Sequence, residues 1–186
     1  MNPDHIVKNV EQNITPKAAP AIENWHPKLT GDMDLIVTRD GQWLYEGHPI
    51  GRESAVRLFS TILRKEEDGE YYLITPVEKW RIQVEDTPLL AHSLTVRGEG
   101  QDQVLSVTTN MGENLDIGDE HPLVVDHYPG SDEPRPLVFV RHGAEARLLS
   151  PAFYELAELV EEREVDGECW HGVFSQGNFW KISKSG

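Results

Sequence analysis

Three basic residues stand where they could hold a small anionic ligand, namely Arg52, Lys79 and Arg141. Arg52 lies at a predicted hairpin-to-helix junction, and Arg141 lies at a predicted β-turn before Gly143. A guanidinium group can hold a phosphate or a carboxylate through two parallel hydrogen bonds. Lys79 adds a compact positive charge that could meet a phosphate. Ion pairs with the protein's own carboxylates are the structural alternative for all three.

Four further residues carry polar groups suited to a binding site. Glu85 and Asp86 are adjacent carboxylates that could do acid–base chemistry or bind a metal ion. Neighbours on a strand point to opposite faces, so the alternative is a turn before Pro88 in which Asp86 caps the backbone. Thr109 and Asn110 end a predicted strand and offer a hydroxyl and an amide that could orient a polar ligand. We count all four as candidate ligand-binding residues.

The sequence contains no catalytic motif. The eight histidines include no His-x-x-x-His pair, and there is no Gly-x-Ser-x-Gly elbow or phosphate-loop spacing. His121, Asp126 and His127 are the best available metal ligands, but they form only a loose group in one loop. Cys169 is the single cysteine, which excludes an internal disulfide. We therefore predict no metal, no cofactor and no catalytic residue.

Charge and hydropathy narrow the classes of partner. Seventeen basic against 32 acidic side chains give a net charge of −15, which repels nucleic acids and anionic membrane surfaces. No apolar run approaches the roughly 20 residues that a membrane-spanning helix needs. The N-terminal residues lack the apolar core of a secretory signal. We therefore expect a cytoplasmic protein that binds a small molecule or another protein.

The elements that position these residues form a repeat. A shift of 98 positions places Asp68-Gly69-Glu70 on Asp166-Gly167-Glu168, and each trio follows an amphipathic helical pattern. These helices are predicted over residues 52–67, ending at Asp68-Gly69, and 150–164, with Ser150 as the N-cap. The fold class is therefore α+β, with two repeated modules that each combine an antiparallel sheet with one main helix. We place the modules at residues 31–112 and 113–186, after a flexible N-terminal arm over residues 1–30.

Alternating apolar residues and turn pairs predict the strands. The four candidates between residues 71 and 110 are predicted to form one antiparallel sheet. A short helical turn is predicted over residues 9–14. The predicted strands cover residues 35–37, 43–45, 71–75, 80–84, 89–97, 104–110, 123–125, 137–141, 146–149, 169–174 and 178–182.

The segment from Asp40 to Pro88 contains the elements Asp-Gly-x-Trp, Tyr-x-Gly-x-Pro-Ile-x-Arg, Asp-Gly-x-Tyr, Thr-Pro-Val-Glu-Lys and Val-Glu-Asp-x-Pro. Together these elements resemble a bacterial family called domain of unknown function 1285. The resemblance implies a duplicated core whose second half is similar to pleckstrin-homology domains, with a ligand site between the halves. It also implies a signalling role with a nucleotide-like ligand. Leu89-Leu90 departs from the family pattern, which has an aromatic residue there.

Three functions are compatible with these patterns. The leading one is a non-catalytic sensor or adaptor that holds a small anionic ligand through Arg52, Lys79 and Arg141. The second is a metal-assisted or acid–base hydrolase that uses Glu85, Asp86 and nearby histidines. The third is a protein–protein docking module.

Overall fold

The computed structural model describes residues 3–13 and 20–186. The chain divides into two compact units. Unit 1 comprises Met1–Pro88 and Arg141–Ala144, and unit 2 comprises Leu89–Val140 and Glu145–Gly186.

Unit 1 is built on a six-stranded sheet with the order β3-β2-β1-β6-β5-β4. The central pair, β1 and β6, is parallel, and the other neighbours are antiparallel. Its elements in chain order are α1 (Pro3–Asn13), a 3₁₀ turn (Ile22–Asn24), β1 (Gly31–Val37), β2 (Trp43–Tyr45), β3 (His48–Pro49), α2 (Glu53–Thr61), β4 (Leu63–Lys65), β5 (Tyr71–Ile74) and β6 (Lys79–Val84).

Apolar side chains from the sheet and from α2 form the core of unit 1. Along β1, Met33, Leu35 and Val37 are buried and alternate with more exposed residues, as the two-residue period of a strand requires. All four residues of β5 are buried. Phe59 of α2 is fully buried, and its ring centroid lies 6.4 Å from that of Trp43. The helix therefore covers the sheet with its apolar face.

Unit 2 contains a six-stranded sheet with the order β10-β11-β12-β7-β8-β9 and a separate three-stranded sheet, β13-β14-β15. In the larger sheet β12 and β7 run parallel. The elements are β7 (Leu89–Arg97), a 3₁₀ turn (Gly100–Asp102), β8 (Val104–Thr109), β9 (Asn114–Asp116), β10 (Leu123–His127), β11 (Pro134–Arg141), β12 (Ala144–Leu148), α3 (Ser150–Ala157), β13 (Glu161–Val165), β14 (Glu168–Ser175) and β15 (Asn178–Lys184).

A second apolar core fills unit 2. It combines side chains of the larger sheet with Leu156 of α3 and Val173 of β14, all of them buried. The buried Ser175 adds a polar link, because its hydroxyl accepts a hydrogen bond from the Leu105 amide at 2.9 Å and donates one to the Ile117 carbonyl at 2.6 Å. These bonds fix the smaller sheet against the larger one within the unit.

Both helices are shorter than the sequence predicts. The helix predicted over residues 52–67 ends at Thr61, because Ile62 leaves helical geometry and Leu63–Lys65 pairs with β5. The helix predicted over residues 150–164 ends at Ala157, and Glu161–Val165 becomes β13. Ser150 is wrong as an N-cap: Leu149 occupies that position, and no side chain in the described structure caps it. In both cases the apolar spacing continues past the last helical residue and a short strand follows, so the periodicity of the sequence cannot show where the helix ends.

The predicted fold class, α+β with two repeated modules, is confirmed. The sheets, however, are mixed, since each six-stranded sheet holds one parallel pair. The predicted single sheet over residues 71–110 is also wrong, because β5 and β6 lie in unit 1 whereas β7 and β8 lie in unit 2. The two compact units divide after Pro88. The sequence pattern instead favours a boundary between the two repeated modules after residue 112, and that boundary stays a prediction.

The structure carries the repeat further than the sequence motif does. The 98-residue shift moves β4 into β13, β5 into β14 and nearly all of β6 onto β15. Gly69 and Gly167 occupy the same place in both copies, with φ of 81° and 80°. Such positive φ values favour glycine. In unit 1 the repeated strands join the large sheet, whereas in unit 2 they form a sheet of their own.

The described residues 3–13 form helix α1, and the flexible arm placed at residues 1–30 stays a prediction. The short turn predicted over residues 9–14 is part of the longer helix α1, and Ile6, Val7 and Val10 are buried. Residue 14 of that prediction lies outside the described residues. No helix in the described ranges is long and apolar enough to cross a membrane.

Candidate ligand-binding pockets

Lys79 forms part of an ion-pair network in unit 1. Its Nζ lies 2.5 Å from Oε2 of Glu66, whose other carboxylate oxygen accepts a 2.7 Å hydrogen bond from Nη2 of Arg64. Burial acts to raise the pKa of Glu66, but the hydrogen bonds and charges of Lys79 and Arg64 outweigh it and lower the pKa overall. Lys79 therefore already holds a carboxylate of the protein, and its partner is Glu66 rather than the adjacent Glu78.

Arg64 anchors the segment that precedes β1. Its Nη1 donates hydrogen bonds to the carbonyl oxygens of Ile22, at 3.1 Å, and Trp25, at 2.9 Å. The Arg64 side chain is only 15% exposed. This guanidinium therefore has a structural role, which joins the 3₁₀ turn to β4.

A hydrogen-bonded pair of Tyr72 and Asp68 lies next to this network. The hydroxyl of Tyr72 donates a 2.5 Å hydrogen bond to Oδ2 of Asp68. This bond lowers the pKa of Asp68 and raises the pKa of Tyr72. Nζ of Lys79 lies 4.3 Å from the centroid of the Tyr72 ring. Asp68 is therefore a carboxylate and Tyr72 a neutral phenol at neutral pH.

Arg64, Glu66 and Asp68 line a cleft of about 560 Å³, which we call the unit 1 cleft. Carboxylates outnumber basic groups in its lining, so it does not favour an anion. Its lining residues are Glu23, His26, Arg64, Lys65, Glu66, Glu67, Asp68 and His142.

His142 enters the unit 1 cleft from the turn between β11 and β12. It has a φ of 49°, and its carbonyl accepts a 3.0 Å hydrogen bond from the Lys65 amide. Burial lowers the pKa of His142, and the charges of Arg141 and Arg64 act in the same direction against that of Glu23. At the adjacent Gly143, with φ of 76°, a Cβ atom would lie 2.9 Å from Cβ of Lys65. This turn is therefore closely fitted against β4.

The other two predicted anchors also contact protein groups. Arg52 is exposed, with Nε donating to Oγ of Ser54 at 3.0 Å and Nη2 lying 3.7 Å from Oε1 of Glu11. Arg141 donates from Nη2 to the Ser60 carbonyl at 3.2 Å. Neither arginine lines the unit 1 cleft. Their role as ligand anchors stays a prediction.

The four other predicted binding residues, Glu85, Asp86, Thr109 and Asn110, lie in turns. Oε2 of Glu85 accepts a 2.7 Å hydrogen bond from the Arg39 amide, and Glu85 and Asp86 form a bend after β6. Oγ1 of the buried Thr109 accepts hydrogen bonds from two amides of its own turn, those of Met111 and Glu113. Oδ1 of Asn110 accepts one from the Leu90 amide at 3.1 Å. Glu85, Thr109 and Asn110 each accept a hydrogen bond from a backbone amide, and ligand binding by all four residues stays a prediction.

The described part of the chain brings together no three His, Cys, Asp or Glu side chains that could hold a metal ion. His121, Asp126 and His127, the loop residues considered above, therefore do not form a site there. Nδ1 of His121 instead lies 3.0 Å from the Phe139 carbonyl.

His121 lines a polar pocket of about 680 Å³ in unit 2. Asp116 lines the same pocket and accepts two side-chain hydrogen bonds. Its Oδ1 accepts one from Ser106 at 2.5 Å, and its Oδ2 accepts one from Arg97 at 2.8 Å. Both bonds lower the pKa of Asp116, and the bond from Ser106 has the larger effect. Asp119 and Glu120 add two more carboxylates. Like the unit 1 cleft, this pocket is acidic.

The third pocket, of about 200 Å³, lies at the start of α3 in unit 2, and we call it the α3 pocket. Arg147 is half-buried at the end of β12, and the exposed Tyr154 stands on the first turns of α3. The charged residues in its lining are Arg147 and Glu133, so carboxylates do not outnumber basic groups in this pocket. The pocket is lined by Tyr128, Glu133, Pro134, Pro136, Arg147, Leu148, Ser150, Phe153 and Tyr154.

Arg147 is not among the site residues predicted from the sequence, although two signals point to it. The apolar residues Ala144, Ala146 and Leu148 alternate with the charged residues Glu145 and Arg147, so Arg147 faces away from the core. The Ser150-Pro151 helix opening follows directly, and a helix start carries partial positive charge.

The fold and these pockets define a two-module α+β protein with separate polar pockets. The family model described as "Domain of unknown function (DUF1285), N-terminal domain" matches residues 20–87. The model described as "Protein of unknown function (DUF1285), C-terminal domain" matches residues 88–182. The chain therefore belongs to the DUF1285 family, and the resemblance noted in the sequence is confirmed.

Solved structures of the same family are similar to this chain. A DUF1285 family protein from Silicibacter pomeroyi DSS-3 is 39% identical, with a TM-score of 0.82 over 93% of this chain and 92% of that one. A DUF1285 family protein from Shewanella baltica OS155 is 28% identical, with a TM-score of 0.53 over 68% of this chain and 91% of that one. Among curated proteins, none matches.

Proposed function

We propose that this protein is a non-catalytic module that binds a small anionic ligand in the α3 pocket of unit 2. The observation that carries the proposal is the position of Arg147, half-buried in a pocket whose other walls include Tyr128, Phe153 and Tyr154. A partly desolvated guanidinium holds an anion more strongly than one in bulk water. Aromatic rings add apolar surface for the body of the ligand.

The charge of the pockets supports this location. Four carboxylates face Arg64 and Lys65 in the unit 1 cleft, and three face Arg97 in the polar pocket of unit 2. In a protein with a net charge of −15, an anion is best accommodated where the basic group is not outnumbered.

The titratable groups of the acidic pockets support a non-catalytic role. Glu66, Asp68 and Asp116 all have a lowered pKa, and each accepts hydrogen bonds from a neighbouring side chain. Carboxylates held in this way stay ionised at neutral pH. They are therefore poor general acids, which need a pKa near the working pH.

In its more specific form, the proposal is that the ligand is nucleotide-like and that its binding serves signalling, as the family resemblance implies. The alternative anchors, Arg52, Lys79 and Arg141, lie in unit 1, so substitutions separate the two locations. An aromatic-lined pocket with one arginine suits a planar ring attached to an acidic group.

The test is thermal unfolding of the full chain with inorganic phosphate, benzoate, AMP and GMP. A ligand at a hundredfold excess over its Kd stabilises the folded state by about 2.7 kcal/mol, which raises Tm by about 5 °C or more. We expect Arg147→Met, which keeps the aliphatic stem, to abolish this rise. Arg39→Met, at an exposed arginine of unit 1, is the matched control.

Two results would overturn the proposal. If none of the four compounds raises Tm, the small-anion function is wrong. If Arg52→Ala or Arg141→Ala abolishes the rise while Arg147→Met retains it, the ligand binds through the sequence-predicted anchors and the α3 pocket is wrong.

A further inference from the structure

Helix α1 packs on unit 1 through one apolar face. Ile6, Val7 and Val10 are at most 2% exposed, whereas His5 and Lys8 are exposed. The helix contacts α2, whose own apolar face covers the sheet. The surface that receives α1 is therefore an apolar groove beside α2, and α1 is its occupant.

Polar contacts flank this groove. Oε2 of Glu78 accepts a 3.0 Å hydrogen bond from Nδ2 of Asn9, and its Oε1 lies 3.7 Å from Nε2 of His5. Oε1 of Glu11 in α1 lies 3.7 Å from Nη2 of Arg52, the N-cap residue of α2. The groove thus offers a carboxylate to the middle of the helix and a guanidinium to its C-terminal half. These contacts fix the direction in which a helix can bind.

Helix α1 precedes the region that the N-terminal family model matches, which begins at residue 20. It has 11 residues, and isolated helices shorter than about 12–15 residues are marginal in water. Its helical form therefore depends on docking. Helix α1 contributes no strand to the sheet of unit 1, so a segment that folds only on docking can leave the groove without breaking the sheet.

We propose that α1 is a detachable occupant of a helix-docking groove on unit 1, and that the α1 helix of a second copy of this chain binds the same groove in trans. An identical helix makes the same contacts with Glu78 and Arg52, so exchange between copies conserves every interaction. In dilute protein the intramolecular helix prevails, because its effective concentration is in the millimolar range. The groove accepts the second helix when the first one is displaced.

The test uses a fluorescein-labelled peptide of residues 3–13 and the full-length chain. In the variant Val7→Asp/Val10→Asp, docking would bury two carboxylates, so its own helix leaves the groove. We expect saturable binding of the peptide to this variant. Binding to the wild-type chain, and to the control Lys8→Ala at an exposed position, is expected to be weaker by about tenfold or more, because their grooves are occupied. Equal binding to all three, or none to the folded double variant, overturns the proposal.

Hydrogen exchange of the wild-type chain gives a second measurement that needs no variant. A detachable helix exchanges its amides through local opening, at a free energy below that of global unfolding. We expect residues 3–13 to exchange at least tenfold faster than the buried strand β5. Exchange of α1 only together with β5 would show that the helix is not detachable and would overturn the proposal.

Discussion

The ammonium group of Lys79 lies 2.5 Å from the carboxylate of Glu66, so a lysine that the sequence offers as a ligand anchor is matched by a charge of its own unit. The same carboxylate also binds Arg64, which holds the segment before β1. Glu66 therefore joins β4, β6 and the 3₁₀ turn. Its contribution is structural, and it can be measured.

Glu66→Gln should destabilise unit 1. The substitution removes the negative charge between two cations that are each less than one-fifth exposed. We expect a loss of about 1–3 kcal/mol in the free energy of unfolding, because Arg64 and Lys79 remain partly buried without their counter-charge. Urea unfolding at pH 7 checks this value. The adjacent, exposed Glu67→Gln is the control and should change stability by no more than about 0.5 kcal/mol; equal effects would contradict the role of Glu66.

His142 should make stability fall on mild acidification. Its pKa in the folded protein lies below the ordinary value of 6.5, so the unfolded chain takes up the proton first. The stability that comes from keeping His142 neutral is therefore complete above pH 6.5 and declines as pH falls from 6.5 toward the folded pKa. We expect a lower Tm at pH 5.5 than at pH 7.5, and a smaller difference in His142→Asn. Asparagine suits this test because it tolerates positive φ.

Three acidic residues with shifted pKa values, Glu66, Asp68 and Asp116, do not contribute to the change in stability between pH 7.5 and pH 5.5. Glu66, Asp68 and Asp116 have lowered pKa values, so the stability that they contribute is present above their unfolded pKa and is lost only at lower pH. An unchanged Tm difference in His142→Asn would show that other groups cause the acid sensitivity.

Gly143→Ala should cost more than Gly47→Ala, although the two glycines have almost the same φ, 76° and 78°. An alanine at residue 143 would place its Cβ 3.0 Å from the Lys65 carbonyl, whereas nothing lies within 4 Å at residue 47. Both substitutions pay about 1 kcal/mol for the left-handed backbone. We expect at least about 1 kcal/mol more at residue 143, measured by urea unfolding. Equal losses would mean that the turn yields without cost.

The sequence predicts most strands but not their partners. Residues 89–97 form a strand with the predicted limits, because alternation and turn pairs are local signals. The parallel pairing of β1 with β6 joins residues far apart in the chain, such as Val37 and Val84, and no local pattern encodes it. Leu63 shows a related limit, since it fits the apolar stripe of α2 but pairs with Leu73 as a strand residue.

The candidate site was harder to predict than the fold. Residue type identified Lys79 and Arg52 as binding groups, yet the contacts that occupy them come from Glu66 and Glu11, which only the folded chain brings near. Arg147 belongs to no motif; the strand alternation places it on the outer face, but only the folded chain shows that it lines a pocket beside α3. Chemistry that depends on neighbours from distant segments is therefore poorly visible in a single sequence.

In the separate three-stranded sheet of unit 2, β13 is an edge strand, and no strand of the described ranges pairs with its outer side. An exposed strand edge can pair with the backbone of another molecule and start aggregation. Along β13, Glu161, Glu162, Arg163 and Glu164 are all exposed, and three of the four carry negative charge. A second β13 brought alongside would meet like charges across the new ladder. The acidity of this segment thus protects the protein against uncontrolled self-association through that edge.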